Sequence, residues 1–165
     1  AGRVRTVATC EGGGFLGLTI SPDSTLFVTD SSNHKIRRME EASGAVTTLA
    51  GSGEAGDVDG VGEAAEFDSP CGIALGPDSS ALFVADSDNH KIRRVEVATG
   101  AVTTLAGSGE DGDADGVGDA AQFDAAEFCC PTGVAISPDG GALFVAQDPA
   151  GGGGDWRSPT GLAIS

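Results

Sequence analysis

The chain predicts an all-β fold assembled from tandem units of four antiparallel strands, and three observations carry that expectation. The string GAVTTLAGSGE fills residues 44–54 and again 100–110, which fixes a period of 100 − 44 = 56. NHKIRR recurs at the same offset, beginning at Asn33 and at Asn89. A Pro-Asp turn followed by Leu-Phe-Val runs through 22–28, 77–84 and 138–145, with its Phe residues spaced 83 − 27 = 56 and 144 − 83 = 61. A repeat of this length is one supersecondary unit that cannot bury its apolar face alone.

Within the second copy each element can be justified in order. Residues 72–75 are a short, small, apolar run, ended by Gly76-Pro77-Asp78-Ser79, where proline's fixed φ and the aspartate's local hydrogen bonding turn the chain. Residues 81–85 are rich in strand formers, and Asp86-Ser87-Asp88-Asn89 turns again. Residues 90–95 alternate polar and apolar, as a half-exposed outer strand does, and 101–105 follow the turn at 98–100 as a fourth strand. No segment has the 3.6-residue apolar period of a substantial helix. Four short strands, the first small enough to crowd around an axis, describe a β-propeller blade. On that reading residues 2–8 are the last strand of a preceding blade, 15–50 and 70–106 are two whole blades, and 131–147 is a truncated third. Residues 158–165 then open the next, while 51–69 and 107–130 are linkers. The third copy carries about five extra residues near 125–129 and lacks the Asn-His-Lys and Val-Thr-Thr strands. Pro159 follows Pro131 by only 28, half a period, so either a blade has decayed or a segment is missing. About three blades are present, an open arc or fragment, where a ring needs roughly four to eight. The first residue is Ala1 rather than Met, which fits a fragment or a processed product.

Composition narrows the partners. Twenty-five acidic against nine basic side chains give a net charge of −16. A nucleic-acid or anionic-membrane binder needs clustered cations to displace counterions, and no such block exists. No apolar run approaches the ~18 residues of a membrane helix. Cys10, Cys71, Cys129 and Cys130 lack the spacing of a zinc knuckle or an evenly distributed disulfide framework and read as free thiols.

The combination P-x-G-[IV]-A, L-F-V-A-D-S-x-N-H-K-I-R-R and G-A-V-T-T-L-A-G-S-G closely resembles the NHL-repeat family, whose blades close into a six-bladed propeller. The element G-x-x-G-D-x-D-G-V-G-x-A-A-x-F, at 53–67 and 109–123, is similar to the long-linker subgroup of that family. The family's Leu is Lys35 and Lys91 here. Repeated, equivalent blade residues build a scaffold, whereas a catalytic site needs non-equivalent groups converging on one point, so a non-enzymatic platform for a protein partner or small ligand is expected. An alternative is a piece of a metal-dependent lyase- or lactonase-like propeller enzyme whose site lies in blades beyond this sequence. Open blade edges would also let two arcs pair.

Two constellations are candidates for chemistry. The linkers hold 13 of the 25 acidic residues and no basic one. In the second, Asp111, Asp113, Asp115 and Asp119 stand at the first, third, fifth and ninth positions of a calcium loop with Gly116 sixth, but Gln122 replaces the bidentate Glu. Calcium is therefore the one candidate cofactor. The plainer reading is a solvated linker whose Phe67 or Phe123 plugs the gap between blades. Lys35, Arg37, Arg38, Lys91, Arg93 and Arg94 form the candidate binding surface, a basic strip expected to make weak ion pairs with the linkers. His34 and His90 occupy equivalent places, which favours a structural role over the several-histidine zinc site of the amidating lyase. Asp30 with Asn33, and Asp86 with Asn89, are expected to form Asx-type turns.

Overall fold

The computed structural model describes residues 14–110, 133–146 and 160–163, and these form three antiparallel sheets packed side by side. The first holds β1 (Phe15–Ile20), β2 (Thr25–Asp30), β3 (Lys35–Glu40) and β4 (Val46–Ala50) in sequential order. The second holds β5 (Gly60–Val61), β6 (Pro70–Leu75), β7 (Ala81–Asp86), β8 (Lys91–Glu96) and β9 (Ala101–Ala106) in the order β5-β9-β8-β7-β6. The third holds β10 (Gly133–Ile136), β11 (Ala142–Ala146) and β12 (Thr160–Ala163). Two single 3-10 turns, Ser31–Asn33 and Gly62–Ala64, are the helical content of the described residues. The fold is a partial β-propeller, with β1, β6 and β10 as neighbouring inner strands.

Each hairpin follows from its turn residues. The Asp23 carboxylate accepts the Thr25 N–H at 3.1 Å, Asp78 that of Ser80 at 3.0 Å and Asp139 that of Gly141 at 3.0 Å. These short bonds hold all three exposed carboxyls below the ordinary 3.8, with the Ser21 hydroxyl leading at Asp23, the Ser80 amide at Asp78 and the Ser137 hydroxyl at Asp139.

Strand alternation sorts the side chains onto two cores. Leu82 and Val84 of β7 join Phe27, Ile36, Ala50, Ile73, Val95 and Val102 between the first two sheets. Phe83 and Ala85, on the other face, join Ile92, Ala106, Leu143 and Val145 between the second and third. The sheets approach closely because glycines occupy the contact. A Cβ on Gly17 would stand 2.2 Å from the Cys71 carbonyl oxygen, and one on Gly72 would stand 3.0 Å from Val134. Beside Gly17 the buried Thr29 hydroxyl donates to the Cys71 carbonyl at 2.6 Å and accepts the Gly17 N–H at 2.8 Å, tying β2 to both inner strands. The outward face of β1 leaves Leu16, Leu18 and Ile20 more than half exposed, and Phe144 of β11 is 44% exposed.

Two features differ from expectation. Thr160–Ala163 does not open a new sheet: it pairs antiparallel with β11, Leu143 opposite Leu162, as the third strand of the third sheet. Among the described residues the third copy has no outer strand of its own, and the β11 edge pairs with Thr160–Ala163 instead. The linker is also no mere connection, since Gly60–Val61 adds a fifth strand outside β9. The expected strand at 2–8 and the insertion near 125–129 lie outside the described residues.

Candidate functional site

The densest polar cluster lies where the first linker crosses the outer strands of the second sheet. A register shift between Ile92 and Arg93 makes Leu105 an extra residue in β9, so Thr104 stands directly across from Arg93. The linker then brings Asp57 and Asp59 over this pair. Arg93 is fully buried. Its Nη1 donates to Asp86 at 2.6 Å, to the Glu66 carbonyl at 3.3 Å and to Asp57 at 3.5 Å, and its Nη2 donates to Asp59 at 2.7 Å. Its guanidinium carbon lies 5.4 Å from the centre of the Phe67 ring. Asp59 also accepts the Thr104 N–H at 3.1 Å and the Thr104 hydroxyl at 3.2 Å. The Lys91 ammonium donates to Asp57 at 2.5 Å.

Asp86 closes the cluster from beneath. It is completely buried and accepts from Arg93, from the Asn89 amide at 2.9 Å and from the Asp68 N–H at 2.7 Å. Burial pushes its carboxyl up from 3.8 to about 6, against the pull of the Asn89 amide, the Asp68 N–H and Arg93. At the half-exposed Asp59 the bonds from Thr104 and Arg93 outweigh desolvation and hold the carboxyl below 3.8. The Arg93 Nε and the Ser87 hydroxyl are buried without a partner.

The first sheet repeats the strand half of this arrangement without the linker half. Arg37 Nε donates to the buried Asp30 at 2.9 Å, and the Asn33 amide donates to Asp30 at 2.8 Å. An equivalent register shift sets Thr48 across from Arg37, and Nη1 donates to the Thr48 hydroxyl at 2.7 Å. In both copies the Asp carboxylate holds the Asn amide and the Arg. The Asx-type turn is thus replaced by a side-chain bridge, because the buried carboxylate has stronger donors than its own turn.

The basic strip does not survive as one surface. Adjacent strand residues face opposite ways, so Arg38 and Arg94 point away from Arg37 and Arg93. Arg93 is excluded from any binding surface by its burial, and Lys91 is held by Asp57. Of the six, Lys35 and Arg37 remain half-buried on the linker-facing side, and Arg38 and Arg94 half-buried on the other. The calcium candidates Asp111, Asp113, Asp115 and Asp119 lie outside the described residues. Their counterparts one period earlier, Asp57 and Asp59 for Asp113 and Asp115, are bound to Lys91 and Arg93. His34 and His90 both sit in left-handed backbone, at φ 52° and 53°, where a turn enters an outer strand. His34 Nδ1 accepts the Ser69 N–H at 3.1 Å and lies 3.4 Å from Asp68.

Two wedge-shaped grooves open at the Pro-Asp turns between successive sheets. One, about 270 Å³, is lined by Asp23, Thr25, Phe27, Arg38, Ser79 and Val97. Its counterpart, about 240 Å³, is lined by Pro77, Asp78, Phe83, Ile136 and Asp139. Each is lined by apolar side chains together with carboxylates. Repetition of the turn in sequence gave no sign of these spaces, which arise from the packing of one sheet on the next.

No family model matches the chain. It is 38% identical over 134 residues to human NHL repeat-containing protein 2, an alignment covering 76% of this chain and 18% of that protein. Over 85 residues it is 39% identical to Protein SUPPRESSOR OF QUENCHING 1, chloroplastic, of Arabidopsis thaliana, covering 52% of this chain and 8% of that one. The chain therefore spans less than a fifth of the length of these curated relatives. Among solved structures, an auxiliary nutrient binding protein from Bacteroides ovatus superposes with a TM-score of 0.66 at 23% identity, covering 82% of this chain and 35% of that one. A chain of a nidogen/laminin complex gives 0.53 at 22% identity, covering 80% and 39%.

Proposed function

Because this chain belongs to the NHL-repeat family of β-propellers, we propose that it is a non-enzymatic scaffold that binds a protein partner or small ligand. The observation that supports this reading is the duplication of its polar network. Asp30, Asn33 and Arg37 make in the first sheet the bonds that Asp86, Asn89 and Arg93 make in the second. A catalytic site brings non-equivalent groups to one point. Here the Asp, Asn and Arg of each copy hold a hairpin in place, and in the second copy Arg93 holds the linker as well. Among the described residues, the two grooves at the Pro-Asp turns offer mixed apolar and polar linings that suit a side chain or small molecule.

Titration of the purified chain with zinc and with calcium, following its melting temperature and its turnover of lactone and amide substrates, tests the reading. An unmoved melting temperature with both ions and no turnover supports the scaffold. A zinc-dependent shift with turnover overturns it in favour of a propeller enzyme, and a shift with calcium alone transfers the function to the acidic linkers.

A further inference from the structure

The two grooves at the Pro-Asp turns are built by the same repeat, yet they differ in charge. The first is lined by Asp23 and by Arg38, whose charge helps to hold the Asp23 carboxyl low. Arg94 is the counterpart of Arg38, standing across from Phe83 as Arg38 stands across from Phe27. It is nevertheless not among the residues that line the second groove. That groove is lined instead by two carboxylates, Asp78 from one sheet's turn and Asp139 from the next, and by no Lys or Arg. The two turns touch, because residue 140 is a glycine in left-handed backbone at φ 75°, where a Cβ would stand 3.3 Å from Pro77 Cγ.

Both carboxylates of the second groove are kept charged by their own turns. Asp78 accepts the Ser80 N–H at 3.0 Å and the Ser80 hydroxyl at 2.8 Å. Asp139 Oδ1 accepts the Gly141 N–H at 3.0 Å and the Ser137 hydroxyl at 2.6 Å, while its Oδ2 accepts no hydrogen bond among the described residues. These bonds hold both carboxyls below the ordinary range, and Arg94 is the smallest of the influences on Asp78. Among the described residues no cation forms an ion pair with either. Beside the carboxylates the lining includes Pro77, Phe83 and Ile136. At about 240 Å³ the groove is smaller than the ~300–1,000 Å³ clefts that hold whole small ligands, so it fits one side chain. An apolar wall beside two carboxylates complements a side chain with an aliphatic stem and a cationic head. The net charge of −16 draws partners of that sign toward it.

We infer that the second groove takes a lysine side chain of a polypeptide partner, its methylene stem against Pro77, Phe83 and Ile136 and its ammonium between Asp78 and Asp139. A compact ammonium with three rotatable donors suits two carboxylates arriving from separate turns better than a planar guanidinium does. The inference rests on the scaffold reading and adds what this one groove selects. The first groove, which supplies its own cation in Arg38, has no such preference.

Amide resonances of the full chain, followed during titration with Nα-acetyl-lysine amide and with its uncharged analogue Nα-acetyl-norleucine amide at constant ionic strength, test the inference. The lysine derivative should shift the amides of Ala81, Gly140 and Gly141, and the norleucine derivative should shift them far less. Asp78→Asn and Asp139→Asn should each raise the dissociation constant about threefold, the order expected for an exposed charge pair, and Asp23→Asn should leave it unchanged. Asparagine still offers an oxygen to the turn amide, circular dichroism checks each fold, and either variant decides the matter should the other fail to fold. Equal shifts from the two derivatives, an affinity unmoved by both variants, or a response to calcium chloride without one to the lysine derivative overturns the inference. Each of these outcomes leaves untouched the turnover assay by which the scaffold reading itself stands or falls.

Discussion

Arg93 and Arg37 are the same residue of the same motif, yet their surroundings make them different chemical objects. Arg93 has exchanged water for Asp86, Asp59, Asp57 and a backbone carbonyl, whereas Arg37 keeps 22% of its side-chain exposure and bonds Asp30 and a threonine. Removing a fully buried partner leaves a buried charge uncompensated. Arg93→Ala should therefore destabilise by about 3–5 kcal/mol, and Arg37→Ala by clearly less; urea unfolding midpoints of the two variants measure the difference. Asp86 adds a pH signature. Its carboxyl is raised from 3.8 to about 6 in the folded state, so between those values the folded chain holds a proton that the unfolded chain has released. The contribution is complete below 3.8 and disappears as pH rises through about 6, a loss of order 2–3 kcal/mol. The lowered Asp59 acts oppositely, its contribution being present above 3.8 and lost as pH falls through its folded value. Melting temperature against pH should thus decline from about 4 to 6, and Asp86→Asn should abolish that decline. The sequence placed these arginines on strands and acids in the linker. It could not tell a buried guanidinium from an exposed one, because the deciding carboxylates lie 34 and 36 residues away and burial is a property of the whole clasp.

At the scale of elements, the linker is as much a part of the core as any strand. Ala65 and Phe67 are completely buried among side chains of the first two sheets, and Ser52 and Gly56 donate backbone bonds to Ala65 and Phe67. Phe67→Ala removes a ring from a closed cluster and also the face beneath Arg93, and should cost about 3–5 kcal/mol by calorimetry or urea unfolding. Gly17→Ala tests the other seam. Its Cβ would overlap the Cys71 carbonyl, which cannot yield without parting β1 from β6, so the variant should lose stability and expose the first core to a hydrophobic dye. The strands and the Pro-Asp turns were legible because alternation and turn chemistry are local. The register shifts that set Thr48 and Thr104 opposite the arginines were not, nor was the pairing of Thr160–Ala163 with β11. Those depend on which edge is vacant when the chain arrives.

For the molecule as a whole, 25 acidic and nine basic side chains leave most carboxylates without a counter-charge. Raising ionic strength from about 0.01 to 0.15 M shortens the screening length from roughly 30 to 8 Å and weakens that repulsion. The buried Arg93–Asp86 pair is affected much less. Melting temperature should therefore rise with sodium chloride, by a few degrees in a scanning measurement, whereas dominance of exposed ion pairs would make it fall. The clasp also bears on the order in which the chain is made. Asp57 precedes Lys91 by 34 residues and Asp59 precedes Arg93 by 34. At about 5–20 residues per second, translation delivers the carboxylates some seconds before the cations they neutralise. A growing chain thus has its anionic lid waiting when the guanidinium emerges, and the costly charge can enter the interior already escorted.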